Sequence, residues 1–209
     1  MSALLLPALP ARSAEQLQFA LDQVIEQTLS RREQTAESAQ PETRGPRQLE
    51  GRLPTRSALQ QGGEALTRAP GSDAARVQRA MIECALLVAA ADQLASEERS
   101  ALERLLAHLT GQKNLADLLR ELEQQLTRVG AAARLSELSR TVASFELREQ
   151  ALSFAALTAI ADRELSEAEG DRLIDLGASF GFGVGEVQRV IDRMAGALAE
   201  ALGSPGTAR

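Results

Sequence analysis

Two short stretches decide the fold that this sequence predicts: Ala91–Glu97, which is Ala-Asp-Gln-Leu-Ala-Ser-Glu, and Ala161–Glu167, which is Ala-Asp-Arg-Glu-Leu-Ser-Glu. Asp92 and Asp162 lie 70 residues apart, and the Ser and Glu positions keep the same spacing. In each copy an alanine-rich run ends at the Asp, a short turn follows, and a Ser suited to capping begins the next helix. A pattern repeated at a fixed spacing indicates two similar units that bury their faces together. We therefore predict two copies of one helical hairpin.

Helical periodicity continues outward from both copies. Apolar residues recur every three or four positions over residues 73–202, and no stretch alternates apolar and polar residues with period two. Five of the predicted helices begin at or directly after Ser72, Ser96, Asn114, Ser144 and Ser166. Gly130 ends the third helix before a short fourth, and Gly183 and Gly185 lead into the seventh. The predicted fold class is therefore all-α: a bundle of about seven helices, built from two repeated hairpins and followed by a tail at 203–209.

The first third of the chain is organised differently. Residues 1–34 are predicted to contain an amphipathic helix at 13–33, because Ser13 and Gln16 have the spacing of a capping box and an apolar face follows. Residues 35–72 hold four prolines and five glycines without apolar periodicity, which predicts a disordered linker. The first helix is then either a docking element on a tether or an added helix packed on the main domain.

The composition excludes several classes of function. A net charge of −6 opposes nucleic-acid binding, which depends on basic residues that displace counterions from phosphates. Zinc sites need several Cys or His ligands and this chain has one of each, while Cys84 lies in an apolar helix where a thiol is inert. No run approaches the roughly 20 apolar residues of a membrane-spanning helix. We expect a cytoplasmic protein that is not an enzyme and neither binds nucleic acid nor inserts directly into a membrane.

The carboxylates of the repeat are the candidate functional residues. Asp92 and Asp162 each end a helix, where the negative end of the helix dipole disfavours a carboxylate, so some other group must compensate. In one interpretation each Asp bonds to the amides of its own turn, and Ser166 and Glu169 form a capping box. In the other, Asp162, Glu169 and Asp92 bind a divalent metal cation, Ca²⁺ or Mg²⁺. The residues alone leave both interpretations open.

The residues around the acidic turns also have a counterpart in a known family. Ala161–Glu169 combines the end of an alanine-rich helix with Ala-Asp, a short turn, a hydrophobic residue, Ser-Glu and a further Glu. Ala91–Glu98 carries a weaker version, and the turn Phe180–Val184 before the last helix also fits. Over about residues 73–202 the chain resembles the tellurite-resistance TerB-like domain family, whose fold is all-helical and internally repeated.

The resemblance implies a function as well as a fold. It implies a small non-catalytic domain of stress and tellurite-resistance systems, with clustered acidic residues and weak binding of a divalent cation. It also implies a protein partner, including partners in membrane-protein complexes. The alternative from the residues themselves is a helical adaptor or scaffold without a metal, which docks partners through its helical faces and its N-terminal helix.

Overall fold

The computed structural model describes residues 49, 51–54, 56–92, 99–100, 102–104, 106–107, 115–161 and 165–203. Within these ranges the regular structure is helical and no strand occurs, so the predicted all-α class is confirmed. The helices are α1 Arg56–Arg68, α2 Asp73–Ala89, α3 Ala116–Val129, α4 Ala131–Thr141, α5 Phe145–Ala159, α6 Glu167–Ser179 and α7 Val184–Gly203, with a 3-10 turn at Ala90–Asp92. Residues 99–100, 102–104 and 106–107 are also helical. None of the described helices combines the length and apolar character that crossing a membrane requires.

Serine caps fix where three of these helices begin, as the sequence predicts. The capping residues are Ser72 for α2, Ser144 for α5 and Ser166 for α6. Each hydroxyl oxygen accepts a hydrogen bond from the backbone N–H three residues later, at 3.2 to 3.3 Å. Such a cap contributes about 1 kcal/mol to helix stability. Helix α3 differs, because Leu115 occupies its N-cap position without a side-chain bond, while Asn114 lies outside the described residues.

Helices α2 and α5 lie at the centre of the domain and pack against each other. Burial is continuous along α5 from Glu149 to Ala159 and along α2 from Ala80 to Val88. Alanines on both helices, among them Ala85 and Ala155, are fully buried and allow a close approach. Because each buried leucine or isoleucine side chain contributes about 1.5–3 kcal/mol, this contact is a main source of stability.

Similar spacings relate two parts of the domain. Helix α2 ends at Ala89 and α5 at Ala159, 70 residues apart. The helical residues between 99 and 107 and then α3 and α4 follow α2, whereas α6 and α7 follow α5, so α4 has no counterpart within the described residues. Buried or partly buried positions along α3 and α7 recur at a spacing of 72 residues; they are Leu115, Leu119, Leu122 and Leu126, and Val187, Ile191, Met194 and Leu198.

The predicted disordered linker at 35–72 is wrong for residues 56–68, which form α1 and pack on α2. The face of α1 turned toward the domain consists of Leu59, Gly62, Gly63 and Leu66. A Cβ on Gly62 would lie 2.5 Å from Oε1 of Gln78, so the missing side chain is what lets α1 approach α2. The glycines that suggest a loop in the sequence are therefore part of a contact between helices.

The domain also begins earlier than the predicted residue 73. Leu49 and Leu53 are 6% and 4% exposed and belong to the main hydrophobic core. Between them the backbone N–H of Arg52 donates a hydrogen bond of 3.4 Å to Oε1 of Glu149 on α5. We call the described residues between 49 and 68 the N-terminal arm. The predicted helix at 13–33 lies outside the described residues, as do most of the first half of the linker and the tail beyond residue 203.

Candidate functional site

Two of the three candidate carboxylates, those of Asp92 and Glu169, belong to the described residues. The 3-10 turn Ala90–Asp92 follows α2 directly and contacts α6, and Asp92 at its end is exposed to solvent. Helix α6 has Glu167 and Glu169 in its first turn, where the positive end of the helix dipole favours carboxylates. Asp162, the central residue of the predicted metal site, lies outside the described residues.

The predicted capping box at the start of α6 is confirmed. The backbone N–H of Ser166 donates to Oε2 of Glu169 at 3.0 Å, and the backbone N–H of Glu169 donates to Oγ of Ser166 at 3.2 Å. One carboxylate oxygen of Glu169 is therefore engaged by the turn that precedes its own helix. This arrangement accounts for Ser166 and Glu169 without a ligand.

A metal site at Asp92, Asp162 and Glu169 stays a prediction. Among the described residues, no three or more His, Cys, Asp and Glu side chains form a group that could hold a metal ion.

A second candidate site, which the sequence did not indicate, is an open groove between α4 and α6. Its volume is about 480 Å³. The side chains that define it are Leu135, Ser136 and Ser139 from α4 and Arg172, Asp175 and Ser179 from α6. Leu135, at 8% exposure, forms an apolar floor, while the two charged residues belong to the α6 side. We call this feature the α4–α6 groove.

Two of the three hydroxyl groups in the groove, those of Ser139 and Ser179, donate hydrogen bonds to backbone carbonyls. Ser139 Oγ donates to the carbonyl oxygen of Ser136 at 2.9 Å, and Ser179 Oγ donates to that of Leu176 at 2.7 Å. Arg172 and Asp175, in contrast, have no hydrogen-bond or ion-pair partner within the described ranges. The groove therefore offers one guanidinium and one carboxylate, a helical turn apart, to whatever enters it.

Arg148 on α5 fixes the distance between the walls of the groove. Its Nε donates to the carbonyl oxygen of Val142 at 2.8 Å, its Nη2 to that of Ser139 at 2.9 Å, and its Nη1 to that of Phe180 at 3.2 Å. These carbonyls belong to the C-terminal ends of α4 and α6, where the helix dipole is negative and carbonyl groups lack helical partners. One guanidinium thus holds both helix ends, and the groove is formed before any partner binds.

An ion pair anchors the other side of α4 to α2. Arg134 makes a bidentate contact with the carboxylate of Glu83, a residue that is 5% exposed. The hydrogen bond from Nη2 of Arg134 is 2.7 Å long. Nη1 of Arg134 also donates to Glu137 at 2.6 Å. The hydrogen bonds to Glu83 raise the pKa of the Arg134 guanidinium. The guanidinium of Arg134 therefore stays charged, and its bonds to Glu83 hold α4 in place.

The single cysteine of the chain lies in the interior of the domain. Cys84 is fully buried, and desolvation of its thiolate raises the pKa of the thiol, so the predicted burial of this residue is confirmed. A thiol in such surroundings is a poor nucleophile and a poor metal ligand. His108 lies outside the described residues.

Comparison of the chain with protein-family models, with curated proteins and with solved structures finds no match. The TerB-like resemblance therefore stays a prediction, and the geometry of the helical domain has to support any functional proposal.

Proposed function

We propose that the chain is a non-catalytic helical interaction module, and that a protein partner docks in the α4–α6 groove. The observation that supports this proposal best is the pair Arg172 and Asp175, two charged side chains that have no partner among the described residues and that line a groove already formed. A preformed site loses little conformational entropy when it binds, so its contacts contribute fully to affinity.

The size and lining of the groove suit a protein segment. A volume of about 480 Å³ lies within the range of roughly 300–1,000 Å³ typical of binding pockets. The small serine side chains leave room for a backbone to approach, and Leu135 provides an apolar contact at the centre. The fitting partner is a helix with one acidic and one basic residue a turn apart, because these would pair with Arg172 and Asp175.

Charge variants of the full chain test this proposal with a designed helical peptide. The peptide carries Glu and Lys one turn apart, and companion peptides carry Gln/Gln or Lys/Lys at those positions. We expect the natural chain to prefer the Glu/Lys peptide and Arg172→Glu to bind it about fivefold more weakly, since a partly exposed ion pair contributes about 1 kcal/mol. The same variant should bind the Lys/Lys peptide more tightly than the natural chain does.

The matched control is Arg128→Glu, which changes an exposed arginine at the end of α3 by the same charge. This control should bind all three peptides as the natural chain does. If Arg128→Glu and Arg172→Glu weaken binding equally, the effect is one of net charge and the groove is not the docking site.

A cation-binding role of the TerB-like type is the second proposal. It is supported by the contact between the turn Ala90–Asp92 and α6, the helix whose first turn contains Glu169. Asp92, Asp162 and Glu169 would hold Ca²⁺ or Mg²⁺ weakly, with a Kd on the order of 10⁻⁴–10⁻³ M, because they supply few oxygen ligands. Millimolar Ca²⁺ should then raise the Tm of the natural protein and leave that of Asp162→Asn unchanged. Equal shifts in the two proteins would contradict this role.

A further inference from the structure

Four residues form a stripe along one face of α6. Ala168, Arg172, Asp175 and Ser179 follow one another at spacings of four, three and four residues, which places them on the same side of the helix. All four are at least partly exposed, and the last three line the α4–α6 groove. We call this set the α6 stripe. It has a small residue at each end and two opposite charges in the middle.

The charged pair in the α6 stripe differs from other pairs with the same spacing. Elsewhere in the described helices, acidic and basic residues three positions apart form ion pairs; they include Asp73 with Arg76, Asp117 with Arg120, Arg134 with Glu137, and Glu186 with Arg189. Arg172 and Asp175 form no such pair with each other or with any other described residue. Both charged groups can therefore pair with a second molecule.

An antiparallel copy of α6 matches the α6 stripe at every position. When two copies of the helix cross at the midpoint of the stripe, Arg172 faces Asp175 of the second copy, and Asp175 faces Arg172 of the second copy. Ala168 then faces Ser179 of the second copy, and two small residues allow the helices to approach closely. A two-fold axis makes each of these contacts twice. In the parallel direction the same register would place like charges opposite each other.

The α4 wall of the groove leaves room for a second α6. Ala132 and Ser136 on this wall are small and exposed, and Leu135 on the floor offers an apolar contact. Because Arg148 holds the C-terminal ends of α4 and α6 together, the groove needs no rearrangement to receive a helix. Each copy can therefore place its α6 in the groove of the other.

We propose that the protein that docks in the α4–α6 groove is a second copy of this chain, which inserts its own α6 in the antiparallel direction. This inference rests on the proposed function, because it names the occupant of the same groove. A second copy is the partner that charge complementarity favours, since α6 itself carries a basic and an acidic residue one turn apart and presents them on the face that lines the groove.

Charge reversal with complementation tests this dimer in the full chain. Arg172→Glu makes both charges of the stripe negative and Asp175→Arg makes both positive, so each variant opposes like charges when it meets its own copy. Sedimentation equilibrium up to about 1 mM protein should show dimers of the natural chain, and each variant should self-associate about tenfold more weakly. An equimolar mixture of the two variants should associate as strongly as the natural chain, because every acidic residue of the stripe then faces a basic one.

The matched control reverses the charges of Asp117 and Arg120 on α3, a pair with the same spacing outside the groove. Asp117→Arg and Arg120→Glu should leave self-association unchanged, alone and in a mixture. A mixture of Arg172→Glu and Asp175→Arg that associates no more strongly than either variant alone would overturn the proposal. If one variant loses helicity, the double variant Arg172→Glu with Asp175→Arg replaces the mixture, and it should dimerise like the natural chain because its reversed stripe again matches itself.

The Glu/Lys peptide separates this inference from the proposed function. Where dimers form, the peptide should dissociate them, because peptide and second copy occupy the same groove. A natural chain that stays monomeric while the peptide binds in the groove would overturn the dimer and leave the interaction module standing. Absence of both dimers and peptide binding would contradict both proposals.

Discussion

At the scale of single residues, glycine helps packing at one position of this domain and only weakens a helix at another. Gly62 allows α1 to lie against Gln78, whereas Gly196 on α7 has open space around the position of a Cβ and an ordinary helical backbone. Glycine in the interior of a helix is less favourable than alanine by up to about 1 kcal/mol. Replacing it with alanine therefore stabilises the protein where the added Cβ meets no other atom.

Gly62→Ala should therefore destabilise the domain, and Gly196→Ala should stabilise it. In the first variant the added Cβ meets the Gln78 side chain, and overpacking of this kind costs about 1–3 kcal/mol. In the second, the gain should be about 0.4–1 kcal/mol. Urea unfolding of both variants measures the free energies, and stabilisation by Gly62→Ala would show that α1 does not pack closely on α2.

The side chain of Arg148 holds the ends of two helices, α4 and α6. Lysine cannot reproduce a planar guanidinium that donates to three carbonyl groups in three directions. Arg148→Lys should therefore lower the free energy of unfolding by about 1.5–3 kcal/mol, as expected for lost hydrogen bonds to a charged group. It should also speed hydrogen exchange at the C-terminal ends of α4 and α6. Arg140→Lys, on the exposed side of α4, should change neither quantity.

At the scale of secondary-structure elements, the contact between α2 and α5 carries much of the stability. Leu86 and Leu157 are 1% and 0% exposed, and each should cost about 2–5 kcal/mol when replaced by alanine. Val129, which is 50% exposed, serves as the comparison, because its replacement by alanine should change the free energy of unfolding by less than about 0.5 kcal/mol. A similar loss at all three positions would contradict the assignment of α2 and α5 to the centre.

The sequence predicts elements well where local chemistry decides them. Ser144 and Ser166 are strong caps at the start of apolar periodicity, and both begin helices. Helix α1 was not predicted because Gly62 and Gly63 have the local properties of a loop, and their role depends on Gln78, a residue on another helix. Local signals do not report such a contact between elements.

The difference between local contacts and contacts between helices also explains which candidate sites could be predicted. The capping box of Ser166 and Glu169 is local, and it could be predicted from the spacing of two residues. The α4–α6 groove depends on where Arg148 holds two helix ends, which no periodicity in the sequence reveals. In the sequence, Arg172 and Asp175 do not differ from other surface charges, because it is the packing of α4 beside α6 that places them in a groove.

At the scale of the whole molecule, the domain combines a closely packed centre with an open groove on its surface. The buried contact of α2 with α5 holds the centre, and the anchored helix α4 forms one wall of the groove. The N-terminal arm covers a separate surface around Gln78 and Glu149. The groove and the surface under the arm therefore involve different residues.

The most direct test of the account is to map where the Glu/Lys peptide binds on the full natural chain. Backbone amide chemical shifts of the ¹⁵N-labelled protein are followed while the peptide is added. The account predicts that the largest changes fall on residues 132–139 of α4 and 172–179 of α6, and that they disappear in Arg172→Glu. Saturable binding with its largest changes on α1, α2 or α7, or no binding at millimolar peptide, would contradict the central claim that the α4–α6 groove is the docking surface.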